Sequence, residues 1–373
     1  MSPKELVART LARKEADRAP TDFGGTVVTC MDMFAHKKLC AFLSTDEGVS
    51  RIIDWTMGTV EPCEALMKLF GSDFRRVAIN YGAPNIIDGA FINGFGMRLK
   101  KADPHEYYET VSHPLEHADL NDLNEMALPD PDTPSFYYGL RDKAKDLHDN
   151  SPYAIVADFG VPGFYETSQK LRGYENLACD MLLNREFLFG LYNRLLELQK
   201  RFYKNFLGEV GKYAHVVGYA DDLGMQDRLQ ISPEMYRDIL KPYHKKIFAF
   251  IREHTDAKIM LHCCGAIEPI IGDLADAGVD ILNPMQTNAA GMDAAALKKK
   301  HGDKIIFWGG IDEQNLLPFG TREEIFCETK KMLDIMAGGG YIIAPSHNIQ
   351  ADTPPENVTA LFEAIRFHQT RRA

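Results

Sequence analysis

Three short motifs near the C-terminal end of the chain contain side chains that bind soft and borderline metals. The motifs are Leu261-His262-Cys263-Cys264-Gly265, Asn283-Pro284-Met285-Gln286 and Ser346-His347-Asn348-Ile349-Gln350, and each follows a short aliphatic run. Side chains alternate along an extended strand, so His262 and Cys264 are expected to share one face. His347 would complete a set of three ligands with one position left open. A catalytic zinc site has this form, whereas closed structural sites usually have four protein ligands.

The spacing of a histidine and a cysteine two residues apart is weak evidence when it stands alone. A packed histidine beside a buried thiol has the same spacing. Cys263 should point away from the site and be structural, although a shift of one residue in the strand would exchange its role with that of Cys264. The remaining cysteines have no framework spacing and are interpreted as small buried hydrophobic residues: Cys30, Cys40, Cys63, Cys179 and Cys327.

Four polar residues follow other predicted strands and are candidates for chemistry beside the metal. One carboxylate of the pair Asp221 and Asp222 is expected to face the pocket as a proton carrier or a substrate contact, unless it caps a helix or forms an ion pair in a loop. Gln286 and Asp312 could orient a substrate or a histidine ligand. For Asp312, a cap on the following helix is the simpler interpretation on physical grounds.

The elements that must position these residues alternate between short apolar strands and amphipathic helices. This order predicts parallel strands with right-handed crossovers. No dinucleotide-binding glycine motif and no Walker loop follows a strand, and the candidate site residues are spread over the ends of many strands. Both features favour a (β/α)8 TIM barrel. The eight predicted strands are Thr21–Phe23, Arg75–Ile79, Tyr153–Asp158, His215–Ala220, Lys258–His262, Asp280–Leu282, Ile305–Trp308 and Tyr341–Ala344.

The region from about residue 80 to 150 is the least regular part of the chain. Its turn residues and its acidic, proline-rich stretch indicate an irregular excursion over the barrel mouth. The strongest helix signal follows Ser232-Pro233-Glu234, where a good N-cap precedes a proline at the first helical position and apolar residues recur at helical spacing as far as Ile251. We found no firm domain boundary, so residues 1–373 are expected to form a single domain.

Composition and charge exclude several classes of protein. Hydrophobic residues make up 45% and charged residues 25% of the 373 residues, which is ordinary for a globular protein. The formal net charge of −11 disfavours a nucleic-acid partner. No apolar run is long enough to span a membrane, and the charged N-terminus lacks the apolar centre of a signal peptide. We therefore expect a cytoplasmic protein that needs no membrane partner. A homo-oligomer is left open, because the sequence is silent on oligomeric state.

Taken together, the ordered motifs resemble the uroporphyrinogen decarboxylase superfamily, and in particular its zinc- and corrinoid-dependent methyltransferase branch. The resemblance covers nearly the whole chain and implies a (β/α)8 barrel. The matching segments are Ala12-Arg13-Lys14-Glu15-Ala16-Asp17-Arg18-Ala19-Pro20, Asp221-Asp222-Leu223-Gly224-Met225-Gln226, Ile231-Ser232-Pro233-Glu234-Met235-Tyr236, His262-x-Cys264-Gly265, Gly278-Val279-Asp280, Asn283-Pro284-x-Gln286, Gly309-Gly310-Ile311-Asp312 and Asp352-Thr353-Pro354-Pro355-Glu356-Asn357.

The resemblance implies that zinc is bound by His262, Cys264 and His347. The methyltransferase branch carries a cysteine where this chain has His347, so the site would hold less negative charge and make a stronger Lewis acid. The decarboxylase branch carries an arginine-rich motif after the first strand. The corresponding stretch, residues 23–30, contains no arginine, so it offers few partners for a substrate with many carboxylates.

We therefore expect a methyltransferase that moves a methyl group from a small methylated substrate to a corrinoid on a partner protein. The substrate is expected to be a methyl ether such as a methoxylated aromatic. Asp222, Gln286 and Asp312 would be catalytic or orienting, Asp221 would contact the substrate, and Tyr165 and Tyr219 would be aromatic walls unless they belong to the core. Three alternatives are a metal-free decarboxylase, a methyltransferase that passes methyl from a corrinoid to a thiol, and a binding protein without turnover.

Overall fold

The computed structural model describes residues 1–46, 51–101, 107–158 and 162–370. Its central sheet contains seven parallel strands in the order β13-β12-β11-β10-β9-β8-β4. The strands of the described chain are β1 (Met31–Asp32), β2 (Ile52–Asp54), β3 (Thr59–Val60), β4 (Phe74–Ala78), β5 (Ala90–Ile92), β6 (Arg98–Lys100), β7 (Glu109–Ser112), β8 (Ala154–Asp158), β9 (Val216–Ala220), β10 (Lys258–His262), β11 (Ile281–Met285), β12 (Ile306–Ile311) and β13 (Tyr341–Pro345).

Helices connect the barrel strands and cover the outside of the sheet. They are α1 (Pro3–Leu11), α2 (Met33–Phe42), α3 (Glu64–Leu69), α4 (Leu140–Asn150), α5 (Phe164–Arg172), α6 (Tyr174–Leu183), α7 (Arg185–Val210), α8 (Pro233–Met235), α9 (Lys241–Arg252), α10 (Ile271–Ala277), α11 (Ala294–His301), α12 (Leu316–Phe319), α13 (Arg322–Ile335) and α14 (Pro355–Thr370). Among the described residues, none of these helices combines the length and the apolar composition of a membrane span.

The barrel closes through the segment that was predicted as the strand Thr21–Phe23. Thr21 forms a parallel bridge with Ile343 of β13, and its carbonyl accepts a hydrogen bond of 2.9 Å from the amide of Asp73, next to β4. The segment does not extend into a full strand, because Gly24 follows it with φ of 87°. The predicted (β/α)8 TIM barrel is therefore confirmed, with its first strand reduced to this bridge.

Two differences from the predicted elements bear on the site. Strand β11 continues past Leu282 to Met285, which places Asn283 in the sheet beside His262. The predicted helix after Ser232 contains a π-helical turn over Tyr236–Leu240. Pro242 has no amide hydrogen to donate to the carbonyl four residues earlier, so the helix widens at this point.

The irregular region before α4 lies over the barrel mouth, as predicted. Strands β5, β6 and β7 form an antiparallel sheet of their own. The hydroxyl of Tyr107, which precedes β7, donates to Oδ1 of Asn348 over 3.1 Å and accepts a hydrogen bond of 2.8 Å from Gln350. Both partners belong to the loop after β13, so the excursion is attached to the carboxyl end of the barrel.

The inner surface of the barrel changes along each strand. Near the amino end, the inward side chains form a buried apolar cluster that includes Phe74, Met260, Ile281 and Trp308. Helix α1 contributes Val7 and Leu11 to this cluster and so closes the amino end. Two residues further along the same faces, the inward positions become polar, as in β10 and β11. The carboxyl end is therefore free to carry chemistry.

Candidate metal centre

His262 is the last residue of β10, and its imidazole is held in a fixed orientation. Nδ1 lies 2.6 Å from Oδ1 of Asn283, which is fully buried in the neighbouring strand. With Nδ1 donating this hydrogen bond, Nε2 carries the lone pair and lies 3.3 Å from Sγ of Cys264. A hydrogen bond from the ring nitrogen that does not bind the metal selects the tautomer and ring orientation of a histidine ligand.

His347 reaches the same place from the loop after β13. One ligand atom each from His262, Cys264 and His347 lies within 4.8 Å of the others, and the two imidazole centroids are 5.6 Å apart. Zinc–ligand bonds of about 2.0–2.3 Å in tetrahedral geometry place neighbouring donors roughly 3.5 Å apart. The separation between His262 and Cys264 already has this value, so the donor set fits zinc.

Burial shifts the pKa values of two of the three donors, Cys264 and His347. It raises the pKa of the Cys264 thiol well above its usual range, and the carboxylate of Asp222 adds to the effect. Burial lowers the pKa of His347 to about 4, and the neighbouring His262 adds to it. The imidazole of His347 is therefore neutral at pH 7, as a ligand must be, while the Cys264 thiol needs a nearby cation to ionise.

Asp221 and Asp222 are adjacent in sequence but face opposite sides of the barrel wall. Oδ1 of Asp222 accepts a hydrogen bond of 2.8 Å from the amide of Cys264 and lies 4.0 Å from Nε2 of His262. Asp221 has no exposed surface and instead pairs with His244, with Nε2 and Oδ2 separated by 3.0 Å. It also accepts the amide hydrogens that begin α5. The expected substrate contact of Asp221 is not what the structure shows, because alternation turns this side chain outward.

The two tyrosines proposed as aromatic walls lie in the core. Tyr219 is 1% exposed, donates a hydrogen bond of 3.2 Å to Gln199 of α7, and its ring stacks on Tyr203. Tyr165 is 3% exposed. Neither residue lines the cavity beside the metal ligands. The core interpretation, which the sequence left open for both tyrosines, is the one that the structure supports.

The side chains of Gln286 and Asp312 accept hydrogen bonds from backbone amides and thereby stabilise loops. Oε1 of Gln286 accepts a hydrogen bond of 2.8 Å from the amide of Gly265, and this bond fixes the turn directly after Cys264. Oδ1 of Asp312 accepts from the amides of Gln314 and Asn315, at 2.7 Å and 3.1 Å. Asp312 therefore caps the turn that leads to α12, whereas Gln286 remains at the edge of the cavity.

A cavity of about 520 Å³ opens beside Cys264 and His347. It has the volume of a small-molecule site. Three of its lining residues were not found from the sequence: Tyr107, Glu313 and Gln314. Burial raises the pKa of Glu313 to about 7. Its position directly after Asp312, beyond a strand, was the available signal, but Tyr107 lies 240 residues from His347 and no local pattern connects the two.

A second group of similar residues lies elsewhere, formed by His36, Cys40 and Cys63. Nε2 of His36 accepts a hydrogen bond of 3.3 Å from the amide of Cys63, at the residue that begins α3. His36 and Cys40 are 1% exposed and pack into the hydrophobic core. The lone pair that would bind a metal is already used to begin a helix, so we assign this group to the fold.

Comparisons with known proteins agree with the motifs. The family described as uroporphyrinogen decarboxylase (URO-D) matches residues 106–368. Two sequences of Methanosarcina barkeri, both named methylcobamide:CoM methyltransferase MtaA, are 30% identical over 203 residues, which cover 52% of this chain and 56% of each relative. A uroporphyrinogen decarboxylase of Dechloromonas aromatica is 29% identical over 144 residues, which cover 37% of this chain and 38% of the relative.

The match to MtaA spans little more than half of that relative's length. Among solved structures, a methyltransferase from Methanosarcina mazei superimposes with a TM-score of 0.68 at 20% identity and covers 98% of this chain and 99% of its own. At this level of identity the likeness concerns the fold. Because the family match extends over well more than half of the chain, the protein belongs to the uroporphyrinogen decarboxylase family.

Proposed function

We propose that this protein is a zinc-dependent methyltransferase that moves a methyl group between a small substrate and a corrinoid carried by a partner protein. The observation that supports the proposal most directly is the group of three donors, His262, Cys264 and His347, beside an open cavity. A decarboxylase that works without metal has no use for such a group. The similarity to proteins named methylcobamide:CoM methyltransferase supports the same reaction class.

The residues around the site would have separate roles in binding the metal, orienting its ligands and transferring a proton. His262, Cys264 and His347 would hold zinc, which acts as a Lewis acid on the heteroatom that carries or receives the methyl group. Asn283 keeps Nε2 of His262 free of a proton, and Gln286 fixes the turn after Cys264. Asp222, whose Oδ1 lies 4.0 Å from Nε2 of His262, would be close enough to accept or return a proton beside the ligands. We propose that it does so as the heteroatom changes its charge.

The charge of the donor set favours a methyl ether as the methyl donor. One thiolate and two neutral imidazoles leave a net charge of +1 on a zinc site. With zinc bound, His262, Cys264 and His347 would thus supply a positively charged Lewis acid, which suits a substrate whose leaving oxygen gains negative charge. A methoxylated aromatic is our preferred substrate, and the corrinoid of the partner protein would accept the methyl group.

The reverse direction, in which a thiol accepts methyl from a corrinoid, is the second candidate. It is favoured by the name of the Methanosarcina barkeri relatives, methylcobamide:CoM methyltransferase. The two directions are distinguished by supplying Co(I) cobalamin with a methoxylated aromatic, or methylcobalamin with a thiol, and by following the cobalamin spectrum. Turnover in the first mixture only would support the methyl ether, and turnover in the second only would support the thiol.

Metal analysis of the purified protein tests the site itself. We expect about one zinc per chain in the unaltered protein, and none after His262→Ala or Cys264→Ala, because each change removes one of only three donors. Cys327→Ala is the matched control, since Cys327 is an exposed free cysteine. A metal-free protein that decarboxylates a porphyrinogen would overturn the proposal.

A further inference from the structure

The cavity beside the metal ligands is lined by acidic and neutral side chains. Of the thirteen described residues that line it, two carry carboxylates, Glu313 and Asp352, and none is lysine or arginine. Asp222 adds a third carboxylate next to Cys264. The other ionisable side chains in the lining are Tyr107, Cys264 and His347. Away from the proposed zinc site, a ligand that enters the cavity therefore meets carboxylates and no side-chain cation among the lining residues.

Three cations around this end of the barrel have partners, and one of them, Lys38, donates to the carbonyl of Ala351 over 2.8 Å. Nε of Arg76 lies 2.5 Å from the carboxylate of Asp158, and Nζ of Lys170 lies 2.6 Å from that of Glu166. None of the three cations lines the cavity. The stretch 102–106, which precedes Tyr107 and lies outside the described residues, contains no lysine or arginine in its sequence.

Two of the neutral hydrogen-bond donors of the cavity, the side-chain amides of Gln350 and Gln226, already have acceptors. Nε2 of Gln350 donates to Tyr107 and Asn348, at 2.8 Å and 2.9 Å. Nε2 of Gln226 donates to the carbonyl of Asn288 over 2.7 Å. An anionic group would have to break these bonds to gain Gln350 or Gln226 as a donor. An unpaired charge removed from water is strongly disfavoured.

We propose that the cavity selects substrates that are uncharged or cationic beyond the reacting heteroatom, that it rejects carboxylates, sulfonates and phosphates, and that Glu313 sets this preference. The inference rests on the proposed function, since it concerns the substrate of the same site. Glu313 follows β12 and lines the same cavity as Tyr107 and His347, so its carboxylate borders the space that a substrate would occupy. It would attract an ammonium group and repel a carboxylate at the distal end of the substrate.

Three aromatic methyl ethers of nearly equal size test the charge preference. They are 4-methoxybenzylamine, which is cationic at pH 8, 4-methoxybenzyl alcohol, which is neutral, and 4-methoxybenzoate, which is anionic. Binding to the zinc-loaded full chain is measured by isothermal titration calorimetry at pH 8 and low salt. We expect the benzoate to bind at least tenfold more weakly than the alcohol, and the amine to bind as tightly as the alcohol or more so.

Two variants assign the preference to Glu313. Glu313→Gln removes the charge at the cavity and should reduce the affinity ratio between the amine and the benzoate at least threefold. Glu323→Gln makes the same change on an exposed residue of α13 and should leave the ratio unaltered. Equal effects of the two variants would show that net charge alone acts and would overturn the role of Glu313.

The outcomes separate this inference from the proposed function. If the metal-loaded protein binds the benzoate as tightly as the alcohol, or binds none of the three ethers, the inference fails. If the charge order holds but His262→Ala changes neither zinc content nor methyl transfer, the proposed function fails and the charge preference stands.

Discussion

The two ends of the barrel interior use the same strands for different purposes. On β10, Met260 and His262 lie on the same face, two residues apart. Met260 belongs to a dry apolar cluster with Trp308, whereas His262 bonds to Asn283 and faces Cys264. Residues that stabilise the fold and residues suited to chemistry therefore occupy different positions along one strand, rather than different strands. Substitutions at one end should therefore affect unfolding, and those at the other end should affect metal binding.

The largest expected effect comes from the amino end. Met260→Ala should lower the free energy of unfolding by about 2–5 kcal/mol, because the side chain is buried and its loss leaves a cavity. Urea denaturation measures the change. Zinc content per folded chain should stay the same as in the unaltered protein. A loss of zinc from folded Met260→Ala would show that the two ends are not separate.

The next effect lies at the carboxyl end. Asn283→Ala should weaken zinc binding about 10–100-fold, since His262 loses the partner that selects its tautomer. Competition with a chromophoric chelator measures the affinity. Asn288→Ala is a suitable control, because the side chain of Asn288 bonds to Asp312 and Gln314 instead of a metal ligand. Equal affinities for the two variants would contradict the role of Asn283.

A third effect concerns His215, which precedes β9 at the amino end. Nδ1 of His215 accepts the amide hydrogen of Ile155 over 3.1 Å, and burial lowers the pKa to about 4, from 6.5. The unfolded chain therefore takes up this proton first as the pH falls. The stability that the neutral ring contributes is complete above pH 6.5 and is lost as the pH falls from 6.5 towards 4.

Denaturation across this pH range checks the prediction for His215. The unaltered protein should lose stability more steeply with acid than His215→Gln does, by at most about 1.4 kcal/mol per pH unit for one proton. His347 titrates in the same direction in both proteins, so it cancels in the comparison. Parallel profiles for the two proteins would rule out a contribution from His215.

The smallest effect separates neighbours at the end of β12. Asp312→Ala should lower the free energy of unfolding by about 1 kcal/mol, because it removes the cap of the following turn. It should leave ligand affinity unchanged, in contrast to Glu313→Gln. A loss of methyl transfer in a fully folded, zinc-loaded Asp312→Ala protein would restore the catalytic role expected from the sequence.

The local sequence pattern was sufficient to predict the barrel and most residues of the candidate metal centre. Alternation along a strand placed His262 and Cys264 on one face and Cys263 on the other, where its sulfur accepts the amide hydrogen of Leu223 over 3.3 Å. The same rule distinguishes Asp222 from Asp221 once the register of β9 is known. Without that register, the sequence could not decide which carboxylate faces the pocket.

Residues that depend on contacts between distant segments could not be found in this way. The pKa of Glu313 is raised by burial, and only the assembled barrel provides that burial. The sheet of β5, β6 and β7 is small and partly exposed, so its strands lack a strong apolar alternation. The length of β11 was also underestimated, because Pro284 is a poor signal for a strand.

The attachment of Tyr107 has a mechanical consequence. Its hydroxyl joins the covering segment to Asn348, and Asn348 is the immediate neighbour of His347 in the chain. Movement of the excursion away from the barrel mouth, to admit a bulky ring, would therefore displace the backbone that carries His347. The hydrogen bond of Tyr107 would then couple access to the cavity to the position of His347.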